Sequence, residues 1–346
     1  MKNLFYTSLA AIAAVSLAAC GGGTSQTRDS IRVVGSSTVF PFAKVVSESF
    51  ARSNSEFGAP IIESTGSGGG INLFCSGIGQ DTPDIVNASR RMKAGEFEGC
   101  LANGVDEVVE LQVGLDGLAL AATKNGIDIS LTTEIIYRAL AARPYGEEQT
   151  ATHWSDLDPS LPNKRILVYG PPSTSGTRDS FEELILLAGC ESNPQMAALK
   201  ETNEDEFDRI CTDIRSDGAY VDQGENDNLI VQKLQSSPDA VGIFGYSYLE
   251  ENIEKLQGLS INGVTPTYET IASLQYPGAR EMFIYVKKAH IDAIPGLRQY
   301  LDQWASMWGE DGPLARIGLI VSSPERLSAA NEAVRNLPSL TAADFE

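Results

Sequence analysis

Apolar runs typical of buried strands alternate with helical spacing of apolar residues along this chain of 346 residues. Residues 31–34 predict a strand, and residues 42–50 space their apolar side chains as a helix does. Residues 165–170 predict another strand, which Pro171 and Pro172 prevent from continuing. Each strand is followed by a turn and a helix. The pattern therefore predicts an α/β fold with mainly parallel sheets flanked by helices.

Two long apolar stretches indicate that the chain passes between two lobes. Residues 108–122 are mostly apolar and contain two glycines, and residues 280–288 predict a strand that returns the chain. The segment between them has its own pattern of strands and helices. Two crossovers between two lobes predict a cleft with a hinge. The predicted boundaries are residues 31–114 with 284–346 for lobe 1, and residues 115–283 for lobe 2.

The amino end has the features of an exported lipoprotein. Residues 9–17 form an apolar run too short to cross a bilayer as a helix, which is typical of a secretory signal. Leu17-Ala18-Ala19-Cys20 is similar to a lipobox, and glycines follow it. We predict a signal peptide over residues 1–19, acylation of Cys20 and a flexible tether over residues 20–30. The alternative is a plain signal peptide with an incidental cysteine.

The charge of the chain excludes some classes of partner. The formal net charge is -20, from 26 basic and 46 acidic residues, which opposes binding to nucleic acid or to an anionic membrane surface. It does not oppose a small anion, because local N–H groups and one or two arginines set the field inside a cleft. Only two histidines, His153 and His290, are present, which are few for a histidine-based metal site or for Ser-His-Asp catalysis. We predict no metal, no cofactor and no enzymatic activity.

The cysteines predict two disulfides. If Cys20 is acylated, four of the five cysteines remain, an even number in an exported chain. Their positions along the chain predict the pairs Cys75–Cys100 and Cys190–Cys211. The alternative, free buried thiols, fits an oxidising compartment poorly.

Turns rich in Ser, Thr, Gly or Arg follow several predicted strands and suggest an anion site. Small residues at a helix start leave backbone N–H groups free, and the helix dipole adds partial positive charge. Arg178 would add a forked donor suited to an oxyanion. For any one turn the alternative is an ordinary N-cap, with Arg178 in solvent or paired with a carboxylate. Parallel strands bring such turns to one sheet edge, which favours the anion site. The four turns are residues 35–41, 66–71, 89–90 and 175–178.

In their order along the chain, five motifs resemble those of the phosphate-binding proteins of bacterial phosphate ABC transporters. They are Gly35-Ser36-Ser37-Thr38, Gly66-Ser67-Gly68-Gly69-Gly70, Ala88-Ser89-Arg90, Ser175-Gly176-Thr177-Arg178-Asp179 and residues 240–246. The resemblance spans nearly the whole mature chain. It implies a two-lobed periplasmic-binding-protein fold that closes on dehydrated phosphate and delivers it to a membrane permease. It also implies a monomer in the periplasm or on the outer face of the cytoplasmic membrane.

The same resemblance implies a set of phosphate-binding residues. In lobe 1 and lobe 2 these are Ser37, Thr38, the backbone of Val39, Ser67, Ser175, Gly176 and Thr177. Some family members have an aspartate after the Ala-Ser of the third motif, where this chain has Arg90. Others have an arginine shortly before Ser-Gly-Thr, where this chain has Pro171 and Pro172. Arg90 and Arg178 would then supply the positive charge.

Two other functions fit the same cleft. One is a secreted phosphate sensor, because a fold alone does not define the partner. The other is a phosphoryl-processing hydrolase, which would need a metal cluster or an activated nucleophile. Sulfate and other tetrahedral oxyanions share the shape of phosphate, so the motifs alone leave the ligand open.

Overall fold

The computed structural model describes residues 28–224 and 227–345. Its strands follow one another as in the predicted strand and helix pattern. They are β1 (Arg32–Gly35), β2 (Ile61–Ser64), β3 (Ile85–Ala88), β4 (Val108–Thr123), β5 (Val168–Gly170), β6 (Tyr220–Asp222), β7 (Val241–Gly245), β8 (Leu256–Gly258) and β9 (Ala279–Lys287).

Helices lie between most of these strands. They are α1 (Phe40–Ser53), α2 (Ser67–Phe74), α3 (Ala94–Ala102), α4 (Thr133–Leu140), α5 (Trp154–Leu157), α6 (Gly176–Phe181), α7 (Leu187–Glu191), α8 (Pro194–Thr202), α9 (Glu204–Thr212), α10 (Asp227–Ser236), α11 (Tyr246–Glu251), α12 (Tyr268–Ala272), α13 (Leu297–Met307) and α14 (Pro324–Asn336). A π-helical turn, Glu182–Leu186, joins α6 to α7, and 3₁₀ turns occur at Pro144–Gly146, Lys288–His290, Ala315–Ile317 and Ala342–Phe345.

The strands lie in the order β2-β1-β3-β9-β4-β7-β5-β6, with β8 also beside β4. We call the part of this order around β1, β2 and β3 lobe 1, and the part around β5, β6 and β7 lobe 2. The 16-residue strand β4 belongs to both: its first part pairs with β9, and its last part pairs with β7 and β8. The two lobes are therefore connected through β4 and β9, the two stretches that the sequence predicts to be crossovers.

The sheets are mixed in direction. β1 is parallel to β2 and β3, and β5 is parallel to β6 and β7, as the βα units predict. β4 and β9 run antiparallel to each other and to their other neighbours. The pairing of β4 with β9 shifts register between Gln112 and Gly114, near the predicted lobe boundary. An irregularity of this kind bends a strand locally.

Each lobe has its own apolar core. The core of lobe 2 includes the buried side chains of Tyr137, Trp154 and Phe244. In lobe 1, one cluster includes Phe50 of α1 with Trp304 of α13, and a second cluster includes Phe74, Phe97 and Tyr285. Helix α13, near the carboxyl end, packs on α1 because its apolar residues recur at helical spacing.

Both predicted disulfides are confirmed. Cys75 is bonded to Cys100 and connects the end of α2 to α3 in lobe 1, whereas Cys190 is bonded to Cys211 and connects α7 to α9 in lobe 2. Each bridge stays within one lobe. The two bonds therefore restrain the lobes separately and leave movement between the lobes free.

The predicted signal peptide, the acylated Cys20 and most of the tether lie outside the described residues. Within residues 28–224 and 227–345, no helix has the length and apolar character that a membrane span requires.

Candidate anion-binding site

The turn between β1 and α1 brings two hydroxyl side chains to the gap between the lobes. β1 ends at Gly35, whose φ of 125° favours glycine and where a Cβ would lie 2.1 Å from a carbonyl oxygen of β3. The Ser36 hydroxyl accepts hydrogen bonds from the N–H groups of Thr38 at 3.2 Å and Val39 at 3.4 Å. Ser37 and Thr38 line a cavity between the lobes, whereas the Val39 side chain is fully buried.

A second turn comes from lobe 2, between β5 and α6. Ser175 is the N-cap of α6, and its hydroxyl accepts a hydrogen bond from the N–H of Thr177 at 3.2 Å. A Cβ on Gly176 would lie 2.8 Å from the Cα of Thr38 and 2.9 Å from the carbonyl oxygen of Ser37. The two turns are thus in backbone contact across the gap, and glycine permits this approach.

The cavity between the turns measures about 270 Å³, near the lower end of the range for small-molecule sites, roughly 300–1,000 Å³. Hydroxyl groups and two carboxylates, those of Asp116 and Asp227, make much of its wall. No Lys or Arg is among the described residues that line it. The lining residues are Ser37, Thr38, Pro41, Phe42, Asp116, Gly117, Ser175, Gly176, Thr177, Asp227, Gly245, Ser247, Tyr248, Ile317 and Gly318.

Hydrogen bonds connect the lobes beside the cavity. The Ser37 hydroxyl donates to Asp179 of α6, and the Thr38 hydroxyl donates to the carbonyl oxygen of Gly176 at 3.2 Å. Asp227, at the start of α10, accepts a hydrogen bond from the N–H of Gly245 at 3.1 Å. The first two contacts pair polar groups of the two turns with each other, whereas the third lies within lobe 2.

Four residues outside the five motifs form a polar network next to the cavity. Arg280 of β9 donates to Asp116 of β4 at 3.3 Å, and also to Glu183, Ser180 and Thr38. The Ser180 hydroxyl donates to Asp116 at 2.8 Å. A signal for this network exists in the sequence, because Asp116 and Arg280 are opposite charges in the two apolar crossover stretches. Buried charges are usually paired, so each predicts the other.

Ser67 and Arg90 are not among the residues that line this cavity. Ser67 is buried at the start of α2, where its hydroxyl is 3.0 Å from that of Ser89 and accepts from the Ser89 N–H at 3.1 Å. Arg90 donates to both carboxylate oxygens of Glu96, at 2.7 and 2.9 Å, and this hydrogen bonding raises the pKa of Arg90. Arg90 lines a second cavity of about 560 Å³ between the lobes.

Arg178 is buried inside lobe 2. Its Nε donates to Glu182 at 2.6 Å, and its Nη1 donates to the carbonyl oxygen of Pro171 at 3.3 Å. The guanidinium carbon lies 4.8 Å from the ring centre of Tyr220, whose hydroxyl also donates to Pro171 at 2.7 Å. Burial raises the pKa of Glu182, and the positive charge of Arg178 acts against that shift. Arg178 does not line the 270 Å³ cavity.

The histidines lie elsewhere. His290 is buried, with its Nδ1 at 2.6 Å from Asp84 and its Nε2 at 2.9 Å from the carbonyl oxygen of Ile78. His153 contacts the Thr152 hydroxyl at 2.9 Å on the surface of lobe 2. Among the described residues no group of three or more His, Cys, Asp or Glu side chains could hold a metal ion. The described wall of the cavity presents hydroxyl groups and carboxylates.

Two lobes of mixed sheet flanked by helices, joined by β4 and β9, define a periplasmic-binding-protein-like fold. Residues 22–306 match the family model described as the PBP superfamily domain. The chain belongs to this superfamily.

Curated relatives make the family more specific. The chain is 34% identical to protein SphX of Synechococcus elongatus over 270 residues, 74% of this chain and 69% of the relative. It is 27% identical to the phosphate-binding protein PstS of Staphylococcus saprophyticus over 298 residues, 84% of this chain and 81% of the relative. The resemblance to phosphate-binding proteins inferred from the motifs is thereby confirmed.

Solved structures agree with this assignment. A possible phosphate binding protein from Planctomyces limnophilus superposes with a TM-score of 0.71 at 27% identity, covering 89% of this chain and 98% of that one. An ABC-type phosphate transport receptor from Vibrio cholerae, at 20% identity and a TM-score of 0.57, covers 84% of this chain and 99% of its own and shares the fold. These two and PstS are named as binding proteins or a receptor, and none is named as an enzyme.

Proposed function

We propose that this protein binds inorganic phosphate between its two lobes and delivers it to the permease of a phosphate ABC transporter. The observation that supports this most directly is the pair of hydroxyl-bearing turns, one from each lobe, that meet around a cavity of about 270 Å³. Relatives named for phosphate binding agree with it. In this proposal Ser37, Thr38, Ser175, Gly176 and Thr177 contact the anion.

The carboxylates of the cavity favour phosphate over sulfate. Asp116 lines the cavity, and its Oδ2 accepts from Ser180 at 2.8 Å and from Arg280 at 3.3 Å. Its Oδ1 has no hydrogen-bond donor among the described residues. An ionised carboxylate only accepts, so a ligand beside it must bring a proton. Protonated phosphate meets this condition because its hydroxyl can donate to Asp116. Sulfate has no proton to donate, so a sulfate oxygen and the Asp116 carboxylate would face each other without a hydrogen bond.

The remaining parts of the proposal concern the location and partners of the protein. It would be exported and held at the outer face of the cytoplasmic membrane by a lipid on Cys20, and it would act as a monomer without nucleic acid, metal or cofactor. The backbone of Val39 and the side chains of Ser67, Arg90 and Arg178 stay predicted contributors to phosphate binding, although each of them makes a hydrogen bond within the protein.

Equilibrium binding of labelled phosphate tests the central claim. We expect saturable binding to one site, displaced by arsenate and poorly by sulfate or molybdate. Thr38→Val should weaken binding about tenfold, because a hydrogen bond to a charged group contributes roughly 1.5–3 kcal/mol. Ser192→Ala is the matched control, since its hydroxyl donates to Gly189 away from the cavity. Equal affinity of wild type and Thr38→Val would contradict the assigned site.

Two further measurements separate the alternatives. Asp116→Asn should narrow the preference for phosphate over sulfate, because an amide can donate to a fully ionised ligand. Phosphate uptake by cells that lack the gene should fall at low external phosphate and recover with the wild-type gene. Normal uptake in those cells would favour a sensor, and turnover of a chromogenic phosphoester would favour a hydrolase.

A further inference from the structure

Arg280 occupies a buried position on the strand that connects the lobes. It lies near the start of β9, directly opposite Asp116 in the register with β4. The residue is 6% exposed, and its Nε donates to the carboxylate of Asp116 at 3.3 Å. Both residues belong to the two strands that connect the lobes.

The guanidinium of Arg280 reaches groups of both lobes. Its Nη2 donates to the hydroxyl of Thr38, in the turn before α1, and to the hydroxyl of Ser180 in α6. Its Nη1 donates to Glu183, in the turn between α6 and α7. Thr38 belongs to lobe 1, whereas Ser180 and Glu183 belong to lobe 2. One side chain therefore hydrogen-bonds to both sides of the cleft.

These contacts determine how the two hydroxyls are oriented. A guanidinium has five donors and no acceptor, so Thr38 and Ser180 must present lone pairs to it. The Ser180 hydrogen then goes to Asp116 at 2.8 Å or to the carbonyl oxygen of Gly176 at 2.9 Å. The Thr38 hydrogen can go to the carbonyl oxygen of Gly176 at 3.2 Å, to the Ser180 hydroxyl at 3.4 Å, or to a ligand in the cavity. Because Arg280 occupies one lone pair of the Thr38 hydroxyl, the Thr38 hydrogen points away from the guanidinium and is available to an acceptor on the cavity side.

Charge gives a second reason to consider Arg280. Asp116 and Asp227 line the cavity, and no Lys or Arg is among its described lining residues. An anion next to two carboxylates needs positive charge nearby, and Arg280 is bonded directly to two residues of the wall, Asp116 and Thr38. It is so placed without lining the cavity itself.

We propose that Arg280 is a positioning residue of the anion site, which makes the Thr38 hydroxyl a donor towards the anion and holds the two lobes together in the closed arrangement. The first half rests on the proposed function. The second half, the bond between the lobes, does not depend on which ligand binds.

Calorimetric titration with inorganic phosphate tests the first half. Arg280→Gln should weaken binding about tenfold or more, since it removes charge and the fork. Arg280→Lys keeps the charge but lacks the planar fork, so it should restore little of the affinity. If Arg280→Gln does not fold, Arg280→Lys supplies the same comparison. Affinity within about twofold of wild type in a folded variant would overturn the proposal.

Arg215 provides a matched control. It is also 6% exposed, pairs with Asp217, and donates to the carbonyl oxygens of Ala139 and Ala151 at 2.9 Å, all within lobe 2. Arg215→Lys should lower the melting temperature and leave phosphate affinity unchanged. A comparable loss of affinity in Arg215→Lys would mean that Arg280 acts only through stability.

A double-mutant cycle with Thr38→Val distinguishes positioning from general structural support. If Arg280 acts through the Thr38 hydroxyl, Arg280→Gln should weaken phosphate binding much less in the Thr38→Val background than in the wild type. A purely structural role predicts that the two losses of affinity multiply. Multiplying losses would therefore overturn the positioning role even though each single variant binds weakly.

Small-angle scattering without phosphate tests the bond between the lobes. We expect Arg280→Gln to have a larger radius of gyration than wild type, and Arg215→Lys to match wild type. Equal radii for wild type and Arg280→Gln would overturn this half. If wild type fails to bind phosphate, the proposed function fails, and the scattering comparison still decides whether Arg280 joins the lobes.

Discussion

Two buried arginines beside the cleft have similar exposure and different surroundings. Arg178 is 8% exposed and Arg280 is 6% exposed. The contacts of Arg178, with Glu182, Pro171 and Tyr220, all lie within lobe 2. Arg280 instead contacts Thr38 across the cleft as well as residues of lobe 2. Burial alone therefore does not indicate what an arginine does. The elements that it connects indicate whether its loss affects the stability of one lobe or the closure of two.

The largest effect that would sharpen this comparison is expected from Gly176→Ala. A Cβ there would lie within 3 Å of backbone atoms of Ser37 and Thr38, so the substitution obstructs contact between the lobes without altering either arginine. Overpacking of this kind costs about 1–3 kcal/mol, which corresponds to a loss of phosphate affinity of about tenfold to a hundredfold.

The stability of the Gly176→Ala variant should stay near that of wild type, because alanine suits the first position of a helix. Titration calorimetry and thermal unfolding measure the two quantities. Gly99→Ala in α3 is the control, since apart from its chain neighbours and the backbone of its own helix no atom lies within 4 Å of the added Cβ. Unchanged affinity for Gly176→Ala would show that the turns do not meet when the anion binds.

Arg178→Ala is expected to have the next largest effect, on stability. The motifs predict a loss of phosphate affinity of about tenfold to a hundredfold, whereas the contacts within lobe 2 favour a loss of about 1–2 kcal/mol in the free energy of unfolding, with affinity within about twofold. Glu182→Gln should lower stability similarly, and the double variant should be less than additive. Denaturant unfolding and calorimetry together distinguish the two outcomes. A large loss of affinity in Arg178→Ala would mean that Arg178, like Arg280, contributes to phosphate binding.

A third buried cation, Lys287 of β9, extends the comparison to pH. It is fully buried, donates to the Thr82 hydroxyl at 2.7 Å, and burial lowers its pKa to about 8. In the unfolded chain the pKa is near 10.5. Between pH 8 and pH 10.5 the unfolded state therefore binds more protons than the folded state, so this group makes stability rise with pH.

Replacing Lys287 by Met should remove that rise. Relative to Lys287→Met, wild type should gain about 2 kcal/mol in the free energy of unfolding as the pH increases from 8 to 10. Denaturant unfolding at several pH values measures the difference. A parallel pH dependence for the two proteins would contradict the lowered pKa.

The smallest effect concerns charges across the second cavity. Lys93 of lobe 1 and Asp208 of lobe 2 line it, and burial raises the pKa of Asp208 while the charge of Lys93 acts in the opposite direction. Lys93→Gln should weaken phosphate binding by less than about threefold and reduce its salt dependence, because exposed charge pairs contribute below about 1 kcal/mol. Lys164→Gln removes an ion pair with Asp239 inside lobe 2, and it should change neither the phosphate affinity nor its salt dependence.

The local parts of the fold and site could be predicted from the sequence. The strands before residues 35 and 171, the turns after them and the crossovers depend on neighbouring residues, so apolar spacing and turn residues indicate them. The partners of Arg280 lie between 97 and 242 positions away, in three separate segments. No local pattern reports such contacts. The direction of the Arg178 side chain depends on Tyr220, which packs beside it only after β5 and β6 have paired.

The shared strand β4 also has a consequence for how the chain acquires its fold. The strand pairs of lobe 2 are formed among β4, β5, β6, β7 and β8. These strands lie in one continuous segment that ends at Gly258, so they can pair before the rest of the chain is made. In lobe 1, β9 lies between β3 and the first part of β4 and pairs with both. Nearly the whole of lobe 2 separates β9 from these two strands along the chain. Closing so long a loop costs entropy and slows pairing. During synthesis, lobe 1 therefore keeps two open sheet edges until β9 arrives, and it is the later of the two lobes to be completed.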